Sequence, residues 1–190
     1  MSAPPGAAHL GIVVEGPGDK EAFPILLRKY LHSVGRYEDL LGKPVPLKGK
    51  GSATRANSGL EGYVLAAARP GCCAVLVLVD ADKDASCVLG PDLLARAQAV
   101  TAVPVVVIVA ERDFEDWIYT AVEHLDLGKA AWNSSERGKN AIESLLTPEK
   151  YVKSTMQARL TQRMDLDVAR TRSTSLNRLF NKIDEILARI

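Results

Sequence analysis

Uninterrupted apolar runs that end at an acidic residue dominate the hydrophobic pattern of this chain. Such runs are typical of strands covered on both faces, as in parallel sheets, because an exposed face would require alternating polar residues. They predict strands at residues 9–14, 75–79 and 103–109. Residues 44–47 predict a short fourth strand, whose two prolines favour an edge position.

Between these runs, apolar residues recur at the three-and-four spacing of amphipathic helices. We predict that Asp19 caps the first helix and that Pro24 lies in its first turn. We interpret Asp113, at the start of a later helix, as compensation of the helix dipole. Alternating strands and helices predict an α/β fold with a mainly parallel, Rossmann-like sheet flanked by helices.

The C-terminal part contains the clearest helical stripe, after a Ser/Thr-rich cap region at residues 173–175. We expect residues 1–125 to form the α/β core and residues 126–190 to form a helical extension packed on it. The chain's own sheet is the expected partner of the stripe, and a second subunit in a homo-oligomer is the alternative. The stripe comprises Leu176, Leu179, Phe180, Ile183, Ile186, Leu187 and Ile190.

Composition fits one globular domain, since 47% of the 190 residues are hydrophobic. The formal net charge is +1, but it is unevenly distributed. Residues 1–148 carry 15 Lys and Arg against 18 Asp and Glu, whereas residues 149–190 carry 9 against 5. The acidic part suits a metal ion, and the basic part suits either phosphate contact or a solvated helical surface.

Targeting and redox signals are absent from the sequence pattern. The three cysteines, Cys72, Cys73 and Cys87, match neither a zinc site nor a disulfide framework, so we expect reduced thiols. Residues 1–8 lack the basic and apolar regions of a signal peptide, and no apolar run reaches the length of a membrane span. We therefore expect a cytoplasmic protein with no membrane partner.

The acidic residues after the strands are the candidate chemical groups. Right-handed crossovers between parallel strands bring all carboxyl ends to one edge, where open α/β sheets bind ligands. Grouped carboxylates oppose folding unless a cation joins them, and Mg²⁺ or Mn²⁺ suits an all-oxygen set. The candidate ligands are Glu15, Asp80, Asp82 and Glu111, with Asp19, Asp84 and Glu115 as secondary candidates.

Asp80 and Asp82 stand two residues apart, so on an extended backbone both carboxylates face the same side. A solvated turn is the alternative. A cation held by this pair would polarise a phosphodiester, and a second ion at Glu15 or Glu111 would complete a two-metal arrangement. Alternatively, Glu15 would shuttle a proton.

Basic residues supply candidate phosphate contacts. Lys48 and Lys50 alternate with glycines at residues 48–51, so both lysines and the backbone N–H groups can approach a phosphate. A solvated loop is the alternative. Lys153, in the basic C-terminal part, is the third candidate, and nucleic acid is the expected partner.

The sequence Val14-Glu15-Gly16, followed later by Asp80-Ala81-Asp82, resembles the TOPRIM domain of topoisomerases, bacterial primases and overcoming-lysogenisation-defect nucleases. More closely, the chain is similar to a prokaryotic family of short TOPRIM-like proteins often encoded beside ATPases in defence loci. The stretches that carry this similarity are residues 14–23, 48–51, 80–84, 111–117, 151–153 and 172–176.

The resemblance implies a TOPRIM-like sheet, Mg²⁺ at Asp80 and Asp82, and Glu15 as a metal ligand or general acid/base. It implies no known reaction for the short family. Because the sequence places no tyrosine as a topoisomerase nucleophile and lacks the separate domains of topoisomerases and primases, we predict a magnesium-dependent nuclease that acts on DNA or RNA, in antiphage defence with an ATPase partner. The alternative is a non-catalytic or regulatory subunit that binds nucleic acid or an ATPase and holds a structural cation. Family analogy does not separate these two hypotheses.

Overall fold

The computed structural model describes residues 6–55 and 59–190. The prediction that residues 1–8 are not a signal peptide falls partly on residues 1–5, which lie outside the described residues. The strands are β1 (His9–Val14), β2 (Val45–Pro46), β3 (Cys72–Asp80) and β4 (Val105–Ala110). The helices are α1 (Pro17–Ser33), α2 (Lys50–Thr54), α3 (Leu60–Ala67), α4 (Ser86–Gln98), α5 (Phe114–Tyr119), α6 (Gly138–Leu146), α7 (Lys153–Arg163), α8 (Leu166–Arg172) and α9 (Thr174–Leu187), with a 3-10 turn at Val122–His124.

The four strands form one parallel sheet in the order β2-β1-β3-β4. Val14 of β1 stands opposite Leu78 of β3, and Asp80 of β3 stands opposite Ala110 of β4. The strands therefore end together at one edge, as their parallel direction requires. The predicted α/β fold, with a parallel sheet flanked by helices and a helical C-terminal part, is confirmed.

Alternate residues of each strand face opposite helical layers. Side chains such as Val13 and Val77 pack with α3 and α4 in one buried cluster. Side chains such as Leu76 and Ile108 pack in a second cluster with α1 and with α5 to α9. Full burial of each such side chain contributes about 1.5–3 kcal/mol. None of the described helices is both long and apolar enough to cross a membrane.

The C-terminal helices pack on the chain's own α1 and sheet. Phe180 of α9 stacks on Tyr30 of α1, with ring centroids 4.0 Å apart. The Lys29 ammonium donates hydrogen bonds to the carbonyls of Gln162, in the last turn of α7, and Met164, directly after it. The apolar stripe of α9 is buried as expected, except at its end, where Ile190 is exposed.

The start of α1 differs from the prediction. The helix begins at Pro17, so Asp19 lies in the first turn rather than at the cap. Its Oδ2 accepts a hydrogen bond from the backbone N–H of Gly16 at 3.0 Å. Pro24 lies inside α1, where it removes one backbone hydrogen bond. Packing compensates for this loss, because the adjacent Phe23 is fully buried.

Candidate active site

Two acids at adjacent strand ends form the floor of the site. Asp80 is the last residue of β3 and is buried, and Glu15 follows β1 directly. The pairing of β1 with β3 brings the two together, and Oε2 of Glu15 accepts a hydrogen bond from the backbone N–H of Asp80 at 3.1 Å. The predicted grouping of these two acids is therefore present.

Lys153 lies among three buried acids, one of which is Asp80. Its Nζ is 3.4 Å from Oδ1 of Asp19, 3.7 Å from Oδ2 of Asp80 and 3.7 Å from Oε2 of Glu115. The lysine side chain is 40% exposed, whereas Asp19 and Glu115 are almost fully buried. We call Asp19, Asp80, Glu115 and Lys153 the Lys153 cluster. It joins the N-terminal turns of α1, α5 and α7 to the end of β3.

Hydrogen bonds hold the acids of the Lys153 cluster in place. Nε2 of Gln157 donates to Oδ1 of Asp19 at 3.0 Å, and the hydroxyl of Tyr151 donates to Oε1 of Glu115 at 2.9 Å. Gly18 lets α7 approach this closely, because a Cβ there would collide with Gln157 and Lys153. Oε1 of Gln157 is buried and finds no hydrogen-bond partner among the described residues.

Burial and mutual repulsion perturb these carboxyl groups. Desolvation, with the charge of Asp19 next in importance, raises the pKa of Asp80 to about 8 even though Lys153 acts in the opposite direction. Burial likewise raises the pKa of Glu15 and of Glu115. Burial would lower the pKa of Lys153, but the surrounding acids raise it above its ordinary value. This lysine is therefore protonated at neutral pH.

Asp82 does not share the orientation of Asp80. Its φ of 54° is left-handed, so the backbone has already turned and the expectation of two carboxylates on one side of an extended strand is wrong. Oδ2 of Asp82 lies 3.7 Å from Nζ of Lys50, and its Oδ1 lies 3.9 Å from Nη2 of Arg137. The charge of Asp82 still contributes to the raised pKa of Glu15.

The three lysines predicted to bind phosphate have different surroundings. Lys50 is held by the loop after β3, because its Nζ lies 2.6 Å from both the carbonyl oxygen of Ala81 and Oδ2 of Asp84. Lys48 is exposed and lines a cleft of about 450 Å³ together with Glu15 and Lys153. Lys48 and Lys153 therefore face the same cleft, whereas Lys50 serves as counter-ion to nearby acids.

Glu111 has a different local role from the other strand-end acids. Its carboxylate accepts hydrogen bonds from the hydroxyls of Ser173 and Ser175 and from the backbone N–H of Ser175, at 2.6–3.0 Å. A negative charge at this position stabilises the N-terminus of α9 through the helix dipole. Asp113 is the N-cap of α5, where its Oδ1 accepts from the backbone N–H of Asp116, in agreement with its interpretation as a helix-terminal acid.

Sequence reasoning gave no site role to Gln157, Tyr151 or Arg137, although Tyr151 belongs to a stretch that carries the family resemblance. Gln157 and Lys153 are four residues apart on α7, so they share one helix face, and this spacing is the signal that joins them. Nη2 of Arg137 lies 2.8 Å from Oδ2 of Asp113, just before α6. No local pattern indicates this contact, because Arg137 lies in a polar segment without apolar periodicity.

The donor set suits a hard divalent cation. Glu15, Asp19, Asp80 and Glu115 offer only oxygen, the donor type that Mg²⁺ and Mn²⁺ prefer. The ammonium of Lys153 lies within 4 Å of three of these acids. Across residues 6–55 and 59–190, no three Asp, Glu, His or Cys side chains form a ready metal-ligand group. The donor type alone therefore suits a divalent ion, whereas the described acids are not arranged as a ready ligand group and Lys153 lies among three of them.

Comparison with known proteins places the chain in a family. Neither a curated protein nor a solved structure matches it significantly. A family model, described as a domain of unknown function (DUF4276), matches residues 14–184, which include every acid of the site and all of α1 to α8. The chain therefore belongs to the DUF4276 family.

Proposed function

We propose that this protein is a Mg²⁺- or Mn²⁺-dependent phosphodiesterase that cleaves DNA or RNA, with a TOPRIM-like arrangement of acids. The observation that carries the proposal is the Lys153 cluster beside Glu15, at the carboxyl end of a parallel sheet. Open α/β sheets bind their ligands at this edge. Perturbed acids that converge there are candidates for function.

Burial of these acids opposes folding, which supports a functional reason for keeping them. Asp80 is 7% exposed, and its pKa of about 8 means that its ionised form is disfavoured in the folded chain at neutral pH. A core formed only for stability would place apolar residues there. Groups that lower the stability of the folded state in this way are common at functional sites.

The acids divide into ligands and a proton carrier. Asp80 and Asp19 would hold the cation, and Asp82 would add negative charge from the adjoining turn. When bound there, Mg²⁺ would polarise the phosphodiester and neutralise its developing charge. Glu15 is half-buried at the cleft and has a raised pKa, so it suits proton exchange with the attacking water or the leaving oxygen.

The lysines of the cleft supply substrate contact. Lys48 and Lys153 line the same cleft as Glu15, so a phosphate within reach of Glu15 would also meet positive charge. A bound cation would take over the charge of Asp19 and Asp80, and Lys153 would then be free to pair with a substrate phosphate. A nucleic-acid substrate and an ATPase partner encoded nearby remain parts of this proposal, and both rest on the resemblance of the sequence.

Cleavage assays test the proposed activity. Purified wild type, Glu15→Gln, Asp80→Asn and the exposed-acid control Asp39→Asn are incubated with single-stranded, duplex and supercoiled DNA and with RNA, in Mg²⁺, Mn²⁺ or EDTA. We expect cleavage by wild type and Asp39→Asn with either metal, and loss of at least about a hundredfold in the two site variants. Wild-type rates in either site variant would exclude the assigned roles.

One observation favours a second candidate function, that of a regulatory subunit. Lys153 already contacts Asp19, Asp80 and Glu115, so the cluster can serve as a structural junction between α7 and the sheet. In that case the protein binds nucleic acid or an ATPase without turnover. Wild type that stays inert on all substrates, even with its genomic partner and nucleotide added, would support this candidate over the hydrolase.

A further inference from the structure

The outer edge of β4 is an unpaired strand edge. β4 ends the sheet, and no other strand in the described part of the chain pairs with its outer side. The backbone N–H of Val75 donates to the carbonyl of Pro104, and that of Ala81 donates to the carbonyl of Ala110. Since backbone groups alternate along a parallel strand, the N–H and C=O groups of Val105, Val107 and Val109 face outward.

A continuous groove follows this edge between α4 and α9. Two adjoining cavities, of about 310 Å³ and 390 Å³, share Leu94 of α4, Val107 of β4, and Arg178 and Lys182 of α9. One cavity extends to Val105 and the other to Val109, so together they follow the outward-facing backbone groups. The groove therefore joins an unpaired hydrogen-bonding edge to walls made of side chains. Along this edge Val107 is partly exposed, whereas Val105 and Val109 are buried.

The two walls of the groove differ in chemistry. The α4 wall is uncharged, with Leu94 and Pro91 as apolar members and Ser86 and Gln98 as polar ones. The α9 wall is basic, since Arg178 and Lys182 project from the helix and Arg189 follows its end. One acid, Glu185, lies among them, and it already pairs with Lys182 at 2.8 Å. Net positive charge therefore remains along one side of the groove.

We propose that this groove binds an extended acidic peptide segment of a partner protein, which adds to the sheet as a fifth strand beside β4. Backbone hydrogen bonds to Val105, Val107 and Val109 would hold the segment, as in other cases of strand addition to an open edge. Its alternate side chains would contact the uncharged α4 wall and the basic α9 wall. This inference does not depend on the proposed hydrolase activity.

Charge argues for an acidic partner rather than a second copy of the chain. Pairing of two β4 edges would bring Arg178, Lys182 and Arg189 of both copies close together, and like charges at an interface oppose association. An acidic segment would instead neutralise these residues. The competing explanation is that the basic side chains protect the edge against any pairing.

Binding of synthetic peptides to the full-length protein tests the proposal. The probes are fluorescent ten-residue peptides that alternate valine with glutamate, with lysine or with serine, and binding is followed by anisotropy at low salt. We expect the glutamate peptide to bind at least about tenfold more tightly than the other two. The variant Arg178→Glu with Lys182→Glu should reverse the preference, and Arg28→Glu on α1, an exposed control, should preserve it. No binding by the glutamate peptide, or equal binding by all three, would overturn the proposal.

N-methylated peptides then distinguish strand addition from adhesion to the basic wall. In an added strand only alternate N–H groups face β4, so methylation of one alternate set should abolish binding while methylation of the other set preserves it. Amide hydrogen exchange of Val105, Val107 and Val109 should slow on binding, whereas that of Val106 and Ile108 should not change. Equal effects of both methylated sets, unchanged exchange, or a dimer through β4 in sedimentation would each contradict the proposal.

Discussion

Nζ of Lys153 lies 3.7 Å from Oδ2 of Asp80, so a lysine at the start of α7 reaches the last residue of the central strand β3. This contact links the C-terminal helices to the edge of the sheet where ligands bind in open α/β folds. It also gives the buried carboxyl group a partner. The position of α7 and the surroundings of Asp80 are thereby coupled through one side chain.

Removal of the Lys153 charge should destabilise the protein and make it respond more strongly to metal. Lys153→Met leaves Asp19, Asp80 and Glu115 without a nearby cation. The free energy of unfolding should fall by about 1–3 kcal/mol, less than for a fully buried ion pair, because the lysine is partly solvated. Mg²⁺ or Mn²⁺ should restore much of this stability by binding the native state. Thermal melts with EDTA or metal measure both effects, and the exposed Lys150→Met serves as control. An unchanged midpoint in EDTA would show that the ion pairs are energetically neutral.

Ionisation of Asp80 should make the metal-free protein less stable as pH rises. Its pKa is about 8 in the folded chain against a reference value of 3.8, so between these values the folded state holds a proton that the unfolded state has released. The contribution of this group therefore falls as pH rises from about 4 to 8, by up to about 1.4 kcal/mol per pH unit. Asp80→Asn should remove this slope in urea titrations made in EDTA. Parallel curves for both proteins would contradict the shift.

Divalent metal should raise the melting temperature of the wild type. Ions that bind only the native state stabilise it by mass action. Asp80→Asn should abolish the response, whereas Asp82→Asn should only reduce it, because Asp82 points toward Lys50 and Arg137. Isothermal calorimetry with Mn²⁺ gives the affinities directly. An undiminished response in the Asp80→Asn, Asp82→Asn double variant would exclude metal binding at this edge.

Glu111 should matter for stability and not for metal. Glu111→Gln weakens the hydrogen bonds to Ser173 and Ser175 and removes a charge favourable to the start of α9, at a cost of about 1 kcal/mol. Urea denaturation measures this decrease, with the exposed Glu143→Gln as control. Manganese affinity should remain at the wild-type level, and a large decrease would return Glu111 to the set of ligands.

Lys48 should contribute to nucleic-acid binding through phosphate. Lys48→Ala should weaken binding to duplex DNA and decrease the salt slope, by about 0.9 for each phosphate that is no longer neutralised. Lys50→Ala should have a smaller effect on the slope, since Lys50 is held by Asp84 and the carbonyl of Ala81. Titrations at several salt concentrations measure both. Identical slopes for wild type and Lys48→Ala would mean that Lys48 is only a solvated residue.

The sequence predicts much of the frame because apolar runs and their ends are local signals. The parallel sheet, the edge strand β2 and the meeting of Glu15 with Asp80 all follow from strand pattern and connection rules. The spacing of apolar residues in α9 likewise predicts that this face of the helix is buried. These features depend on residues close in the chain or on general topology.

Other parts of the site depend on contacts between distant segments, which leave no local pattern. Glu111 is engaged by Ser173 and Ser175, which belong to the cap of α9. Asp82 departs from Asp80 because one residue adopts a left-handed backbone, a choice that an Asp-x-Asp sequence does not reveal. The position of Lys153 among three acids requires the docking of α7 against α1 and α5, and it is therefore visible only in the folded chain.

The two edges of the sheet are unequal, and this limits how the molecule can assemble. β2 is only two residues long and includes Pro46, which has no N–H to offer a further strand. Open-ended polymers built through sheet edges need two complementary edges on every molecule. Strand addition at β4 would consequently end with a single partner, since the opposite edge cannot transmit the pairing onward. The short β2 therefore opposes the growth of a fibre through the sheet edges of this fold.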